Sequence, residues 1–345
     1  MPANLTKTLL CAAALSFGLV SGASAQRGPA IPAASAPPGP DAAFQARAKA
    51  AAGTEWTWMY NMLCSQGDVI QTFWGGAFMS VADQDFEPVK AFDNFYFVGL
   101  RQAGVWAVKT SAGIILIDSH FAGQTESRLV PSLRKAGLDP AQVKYVIVTH
   151  AHPDHMGGAR YFQEKYKAKV IMSAQDWDFA DTQRPKDGKP DTVAVRDMVK
   201  GDGDTLTLGD TTIRFIFTPG HTPGSLSVVV PVKENGVMHT AAIWGGQDWR
   251  DTGWPKVQRD QYMASMTHFR EVMKSVKPDV QFETHPFLSA LISKLAEMRG
   301  RKPGSPNPMI IGNDGFEHYM DVWQNCSGAL NARVNAKDMA APARP

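Results

Sequence analysis

The stretch VIVTHAHPDHMGG, Val146 to Gly158, places three histidines and an aspartate within six residues, directly after a β-branched run. The run predicts a buried strand. At a strand end, side chains two residues apart point the same way, so His150 and His152 can both reach one ion. Asp154 and His155 follow in the turn and face a neighbouring position. No structural role requires this spacing, which therefore predicts a metal site.

Each of these two positions needs one more protein ligand, because a catalytic zinc takes three protein ligands and leaves a place for water. The sequence offers His221 in TPGHTPGS and His285 in ETHPF, each at the end of a predicted strand. A lone histidine at a strand end is more often a satisfied surface or core residue, and for His285 that alternative stays open. Four other histidines lack such a pattern, namely His120, His239, His268 and His318.

The flanking sequence predicts an α/β protein. FDNFYFVGL and VWAVKT predict the two strands of a hairpin around RQAG, and GIILID predicts a buried strand. TESRLVPSLRKAG predicts a helix that stops at Gly137, and DWDFADTQRPKDGKPDT predicts a long polar loop. Strands followed by a helix recur in the second half of the chain. Two sheets covered by helices give a four-layer αβ/βα sandwich.

The first 25 residues predict a cleavable secretory signal. Lys7 precedes an apolar run that is too short to span a bilayer, and Ala23-Ser24-Ala25 provides a cleavage site. Residues 26–40 are rich in Pro, Ala and Gly and predict a disordered linker. We therefore expect an exported protein, periplasmic or secreted. An ordinary N-terminal helix is the alternative.

The region after the linker divides into an extension and a main domain. Helix formers with a break at Gly53 predict a helical extension over residues 41–68, followed by one domain over residues 69–345. The mature chain keeps two cysteines, Cys64 and Cys326. An even pair in an oxidising compartment favours a disulfide, and two free buried cysteines are the alternative.

Charge and hydropathy exclude several classes of partner. The formal net charge is +2, and no basic cluster provides a footprint for nucleic acid or for a membrane surface. Beyond the signal, no apolar segment is long enough to span a bilayer. We therefore expect a small-molecule substrate as the partner, and the oligomeric state stays open.

The motif THAHPDHMGG resembles the signature of the metallo-β-lactamase-fold superfamily, His-x-His-x-Asp-His at the end of a strand. The resemblance runs from about Phe86 to near Arg333 and includes LIDS, FTPGHTPGS and ETHPF. SPNPMIIGNDGFEHYMDVW is similar to the C-terminal segment of the third subclass of class B β-lactamases, subclass B3. The resemblance implies two zinc ions per chain, the first held by His150, His152 and His221 and the second by Asp154, His155 and His285.

One position distinguishes branches of this superfamily. Glyoxalase II and many phosphodiesterases bridge the two metals with an aspartate in a Gly-Asp pair, whereas IWGGQDW has Gln247 at that place. This favours the lactamase-like branch. An alignment shifted by one residue puts Asp248 there and restores the bridge. Subclass B3 usually carries serine near Gln247, so the substrate stays open.

The resemblance implies a zinc-dependent hydrolase, β-lactamase-like, in which a zinc-activated hydroxide opens a cyclic amide and Asp154 accepts a hydrogen bond from the nucleophile. An ester, lactone or phosphodiester hydrolase is one alternative, and a zinc-binding protein without turnover is another. We expect the hairpin tip 100–104 and the loop 178–191 to cover the site. Further candidate residues that orient a ligand histidine or contact substrate are Asp118, His120, Gln247 and Arg250.

Overall fold

The computed structural model describes residues 39–64, 85–186, 191–247, 254–289 and 291–340. The predicted signal and nearly all of the predicted linker lie outside these residues. The strands are β1 Val89–Phe92, β2 Phe95–Phe97, β3 Trp106–Thr110, β4 Gly113–Ile117, β5 Val143–Ile147, β6 Lys169–Met172, β7 Met198–Val199, β8 Thr205–Leu208, β9 Thr211–Phe217, β10 Leu226–Glu234, β11 Val237–Ile243 and β12 Val280–Gln281.

Ten α-helices connect and cover these strands within the described residues. They are α1 Ala42–Ala52, α2 Thr57–Cys64, α3 Ala122–Gln124, α4 Val130–Lys135, α5 Pro153–Met156, α6 Ala159–Tyr166, α7 Ala174–Thr182, α8 Lys256–Val276, α9 Leu291–Gly300 and α10 Gly312–Ala340. A π-helical stretch, Thr125–Leu129, joins α3 to α4, and a 3₁₀ turn, Pro140–Gln142, precedes β5.

Two sheets form the centre of the fold. The first has seven strands in the order β1 to β7, antiparallel from β1 to β4 and parallel from β4 to β7. The second has the order β12-β11-β10-β9-β8, with only the β11–β12 pair parallel among its described strands. Ile115 and Ile147 of the first sheet share one buried core with Phe215 and Val228 of the second. The two sheets therefore pack face to face.

Helices cover the outer faces of both sheets. On the first sheet, Leu133, Phe162 and Trp177 of α4, α6 and α7 pack with the outward-facing side chains of β4 and β5. On the second, Met266 of α8 and Trp323 of α10 pack with the outward side chains of β9 and β11. This arrangement confirms the predicted αβ/βα sandwich.

The N-terminal helices pack against α10. Helix α1 ends at Gly53, which has a φ of 48°. Cys64, at the end of α2, forms a disulfide with Cys326 of α10, and their Cα atoms are 4.6 Å apart. An ion pair between Asp41 and Arg333, 2.6 Å long, adds a second link. The region predicted as a helical extension is thus helical from 42 to 52 and from 57 to 64.

Two local predictions are wrong. FDNFYFVGL is not one strand, because Asn94 makes a turn between β1 and β2 and hydrogen-bonds the backbone of Lys233 and Pro231. The segment predicted as a polar loop begins as helix α7. The Ser173 hydroxyl caps this helix by accepting the N–H of Asp176 at 3.1 Å. Among the described residues, no helix has both the length and the hydropathy to cross a membrane.

Candidate metal centre

The turn after β5 is fixed by an aspartate from the neighbouring strand. Asp118 follows β4 in a left-handed conformation, with a φ of 63°. Its carboxylate accepts the N–H of Thr149 at 2.8 Å and the Thr149 hydroxyl at 2.9 Å. The same carboxylate lies 2.8 Å from Nδ1 of His155. Asp118 therefore sets both the exit of the chain from the sheet and the orientation of one histidine ring.

The first group of candidate ligands consists of His150, His152 and His221, whose ligand atoms lie within 4.8 Å of one another. Nδ1 of His150 donates to the carbonyl of Gly245 at 3.0 Å, which leaves Nε2 as the acceptor nitrogen. That Nε2 is buried and has no hydrogen-bond partner among the described residues. Nε2 of His221 lies 3.1 Å from Nδ1 of His152.

The second group consists of Asp154, His155 and His285, and its ligand atoms also lie within 4.8 Å of one another. The two Nε2 atoms of His155 and His285 are 3.1 Å apart. Oδ2 of Asp154 is 3.2 Å from the first of these atoms and 3.8 Å from the second. Nδ1 of His285 donates to the carbonyl of Gln102 at 2.9 Å. Both Nε2 atoms thus face the Asp154 carboxylate.

Asp176 connects the turns that carry the first group, and no motif in the sequence pointed to it. Its carboxylate accepts the N–H of Ala151 at 2.8 Å and the N–H of Gly224 at 2.7 Å. It also accepts the Thr222 hydroxyl at 2.8 Å. Burial raises the pKa of Asp176 to about 6, and these hydrogen bonds oppose that rise. The His221 turn also needs Gly220, whose φ is 135°.

Burial and charge act in opposite directions on these groups. Burial, followed by the charge of His155, lowers the pKa of His150 well below its usual value and that of His285 to about 4. Burial disfavours a charged His155 ring as well, but the carboxylates of Asp154 and Asp118 outweigh it and raise its pKa to about 10. Burial opposes ionisation of Asp154, but the neighbouring histidines hold its pKa far below the usual range. The second group therefore favours a positive charge beside Asp154.

These residues fit a zinc centre. Imidazole nitrogen and carboxylate oxygen are ligands that zinc prefers, and three protein ligands in each group leave a position open. Three of the histidines have their other ring nitrogen bonded to a carbonyl or carboxylate, an arrangement typical of metal-bound imidazole. The orphaned Nε2 of His150 is a buried lone pair that a cation would satisfy.

Gln247 lies behind His285. Its side-chain carbonyl accepts the N–H of Thr284 at 3.0 Å and that of His285 at 3.2 Å. Its amide donates to the hydroxyl of Tyr319 at 3.2 Å. Burial raises the pKa of the neighbouring Glu283 to about 7, against the hydrogen bonds that lower it, one of them from Tyr319. Gln247 is fully buried, so it supports the backbone of a candidate ligand.

His120 is the remaining predicted residue that the structure describes. His120 is buried with a φ of 67°, and neither ring nitrogen has a hydrogen-bond partner among the described residues. Burial, followed by the charge of His155, lowers its pKa to about 3, so the ring is neutral. Arg250 and Asp248 lie outside the described residues.

A cavity of 720 Å³ opens over the two groups. Four of the six candidate ligands line it, namely His152, Asp154, His221 and His285. Aromatic walls come from Phe121, Phe179 and Trp254, and side-chain amides come from Gln102, Gln258 and Gln261. Gln102 belongs to the predicted hairpin tip and Phe179 to the predicted covering segment. No motif in the sequence pointed to Trp254, Gln258 or Gln261.

Comparison with known proteins agrees with this geometry. A profile of the metallo-beta-lactamase superfamily matches residues 98–241. The structure resembles BJP-1, a subclass B3 metallo-beta-lactamase of Bradyrhizobium japonicum, with 28% identity and a TM-score of 0.61 over 74% of this chain and 97% of that one. It also resembles the metallo-beta-lactamase FEZ-1 of Legionella gormanii, with 22% identity and a TM-score of 0.58 over 74% and 96%. The chain therefore has the metallo-β-lactamase fold and is similar to subclass B3, as its motif predicts.

A second kind of relative appears in the comparison of sequences. The N-acyl homoserine lactonase AttM of Rhizobium radiobacter is 32% identical over 144 residues, which cover 36% of this chain and 51% of that protein. The lactonase AttM of Azorhizobium caulinodans is 30% identical over 125 residues, 32% of this chain and 44% of that protein. The chain thus spans about half the length of these curated relatives.

Proposed function

We propose that the protein is an exported dinuclear zinc hydrolase that opens the amide ring of a β-lactam. The observation that supports this most directly is the pair of three-ligand groups, His150, His152 and His221 beside Asp154, His155 and His285. Similarity to BJP-1 across 97% of that chain supports a lactamase rather than another branch. The disulfide between Cys64 and Cys326 supports export to an oxidising compartment.

Two zinc ions bound by these groups would supply Lewis acidity and make water nucleophilic at neutral pH. Asp154 remains a carboxylate at working pH, because the surrounding histidines hold its pKa so low. Its oxygens can therefore accept a hydrogen bond from the attacking water and keep that water oriented. Attack forms a C–O bond at the ring carbonyl and breaks the C–N bond, and the leaving nitrogen takes up a proton.

The walls of the cavity favour a substrate with an apolar side group. Phe179 lies 6.2 Å from the His152 ring and Trp254 lies 5.8 Å from the His221 ring, measured between centroids. These rings offer apolar surface on two sides of the first group and restrict access of bulk water. None of the described lining residues is a lysine or arginine. The described lining therefore offers no cationic group to the charged oxygens of a phosphodiester.

A lactone is the second candidate substrate. The curated relatives named N-acyl homoserine lactonase support it, at 30% and 32% identity. Ring opening of a lactone uses the same attack on a carbonyl, with an alkoxide in place of the nitrogen as leaving group. The amides of Gln102, Gln258 and Gln261 can donate to either kind of ring carbonyl.

The test is turnover by the zinc-loaded protein of a chromogenic cephalosporin, an N-acyl homoserine lactone and bis(p-nitrophenyl) phosphate. We expect the cephalosporin to be hydrolysed with the highest kcat/KM. Exclusive turnover of the lactone would contradict the β-lactam proposal and support a lactone as the substrate. A protein that binds zinc but hydrolyses none of the three would contradict the hydrolase proposal and favour a zinc-binding protein without turnover.

Ligand variants provide the matched control. His152→Ala removes a ligand of the first group, so zinc content and turnover should fall together. His318→Ala removes an exposed histidine of α10 and should change neither. Full turnover by His152→Ala would contradict the assignment of the first group.

A further inference from the structure

A second cavity has a volume of 630 Å³. The two cavities share no described lining residue. On two segments of the chain, one residue lines the first cavity and the residue before it lines the second. Gln102 and Phe121 line the cavity over the metal groups, whereas their neighbours Arg101 and His120 line the second. The hairpin tip and the segment after β4 therefore form a wall between the two cavities.

The second cavity is cationic. Its charged lining residues are Arg101, Arg128, Lys135 and Arg299, with Asp85 and Glu87 as the acidic ones. Asp85 forms an ion pair with Arg128. Glu87 forms an ion pair with Lys135, whose hydrogen bond, with a smaller contribution from the charge of Arg299, lowers the pKa of Glu87. The described lining residues thus retain an excess of two positive charges.

Two guanidinium groups carry this excess. Among the described residues, neither Arg101 nor Arg299 forms an ion pair. Both lie over the ring of Phe86, with the guanidinium carbon 5.0 Å and 6.0 Å from its centroid. A planar guanidinium held on an aromatic ring keeps its N–H groups at the edge, where they can bind a carboxylate or phosphate in bidentate fashion.

His120 adds a buried group without a partner to the same cavity. Its ring nitrogens are both buried and without a hydrogen-bond partner among the described residues, and its side chain is fully buried. Buried polar groups in folded proteins almost always have a partner. A small ligand that accepts the imidazole N–H would supply one. The backbone carbonyl of His120, in contrast, has a partner, because it accepts the N–H of Gly158 at 3.0 Å.

We propose that the second cavity binds a small organic anion, a carboxylate or phosphate carried on an apolar group, through Arg101, Arg299 and His120. The apolar group would lie against Val98, Leu100 and Pro88, which line the same cavity. This site is separate from the metal groups and does not depend on the reaction that they carry out.

The test is calorimetric titration of the zinc-loaded full-length protein with benzoate and, separately, phenyl phosphate. The variant Arg101→Gln/Arg299→Gln removes both unpaired charges, and we expect the dissociation constant of the bound anion to rise at least about tenfold. Arg134→Gln, an exposed arginine of α4 next to Lys135, is the matched control and should leave the constant unchanged.

A nuclear magnetic resonance measurement locates the anion. Binding should shift the ¹⁵N resonances of the His120 ring, identified by their loss in His120→Asn, a variant whose residue tolerates the left-handed backbone. Binding of either anion supports the site if the double variant weakens it and the His120 ring resonances shift. Whether benzoate, phenyl phosphate or both bind then distinguishes the two anion classes. Absence of binding at millimolar concentration, or binding that the double variant leaves unchanged, would overturn it.

Discussion

The side-chain carbonyl of Gln247 accepts the backbone N–H of His285 at 3.2 Å. The same oxygen accepts the N–H of Thr284, so a single buried amide holds the backbone that delivers the last ligand of the second group. The resemblance stated above implies that an aspartate at this place would contact the metals directly. In this chain the glutamine acts from behind the ligand, through the backbone.

Replacing Gln247 by leucine tests this role. The change leaves two buried N–H groups without an acceptor, each costing about 1–3 kcal/mol of unfolding free energy. We expect lower stability in urea and weaker zinc binding, measured by competition with a chromophoric chelator. Gln247→Glu keeps the acceptor oxygens and should recover most of the zinc affinity. The exposed Gln142→Leu is the control, and equal zinc affinity in Gln247→Leu would show that the contact does not position His285.

Replacing Asp118 by asparagine should weaken zinc binding by about 10–100-fold, because the carboxylate both orients His155 and raises the basicity of its metal-binding nitrogen. The measurement is zinc affinity together with the absorption spectrum of the cobalt-substituted protein, which reports ligand geometry. Asp314→Asn removes the same charge from an exposed position in α10. If both variants bind zinc as the wild type does, the Asp118–His155 contact has no role in the metal centre.

The two candidate ligand groups were predicted from one short motif together with the family resemblance that it carries. His150, His152, Asp154 and His155 lie within six residues after β5 of the first sheet. His221 and His285, which follow β9 and β12, come to them from the second sheet. The fold followed from the same alternation of strands and helices. The role of Asp118 could also be predicted from the sequence, since this residue follows a predicted buried strand.

Other parts of the site could not be predicted, because they depend on contacts that leave no local pattern. The ring orientations of His150 and His285 come from the backbone carbonyls of Gly245 and Gln102, and any residue has such a carbonyl. Asp176 was missed because its segment is rich in polar residues, which favoured a loop. The contact of Gln247 with Tyr319 joins residues 72 positions apart in the chain, so only the packing of α10 creates it.

The disulfide between Cys64 and Cys326 should stabilise the fold without affecting the metal centre. It closes a separation of 262 residues, and the chain-entropy view assigns such a loop about 5–6 kcal/mol. We expect Cys64→Ser/Cys326→Ser to lose about that much unfolding free energy in urea while it keeps zinc affinity and turnover. A phosphine reductant should destabilise the wild type and leave the variant unchanged. A loss below about 1 kcal/mol would contradict the entropic account.

Glu283 should make stability depend on pH. It is fully buried beside Tyr319, and burial raises its pKa to about 7 from an ordinary value of 4.5. The folded chain therefore retains a proton that the unfolded chain releases. The stabilisation from that proton is complete below about pH 4.5 and is lost as the pH rises to about 7. A difference of this size corresponds to about 3 kcal/mol.

Glu283→Gln removes this titration while it keeps the size of the side chain. We expect the variant to gain about 3 kcal/mol relative to the wild type between pH 4.5 and pH 8, measured by urea unfolding with the same zinc excess in both proteins. The comparison cancels the pH dependence of zinc binding, because both proteins keep all six candidate ligands. Glu297→Gln, an exposed change in α9, should follow the wild type at every pH. Parallel curves for wild type and Glu283→Gln would mean that Glu283 is ionised in the folded protein throughout this range, held by its hydrogen bonds against the effect of burial.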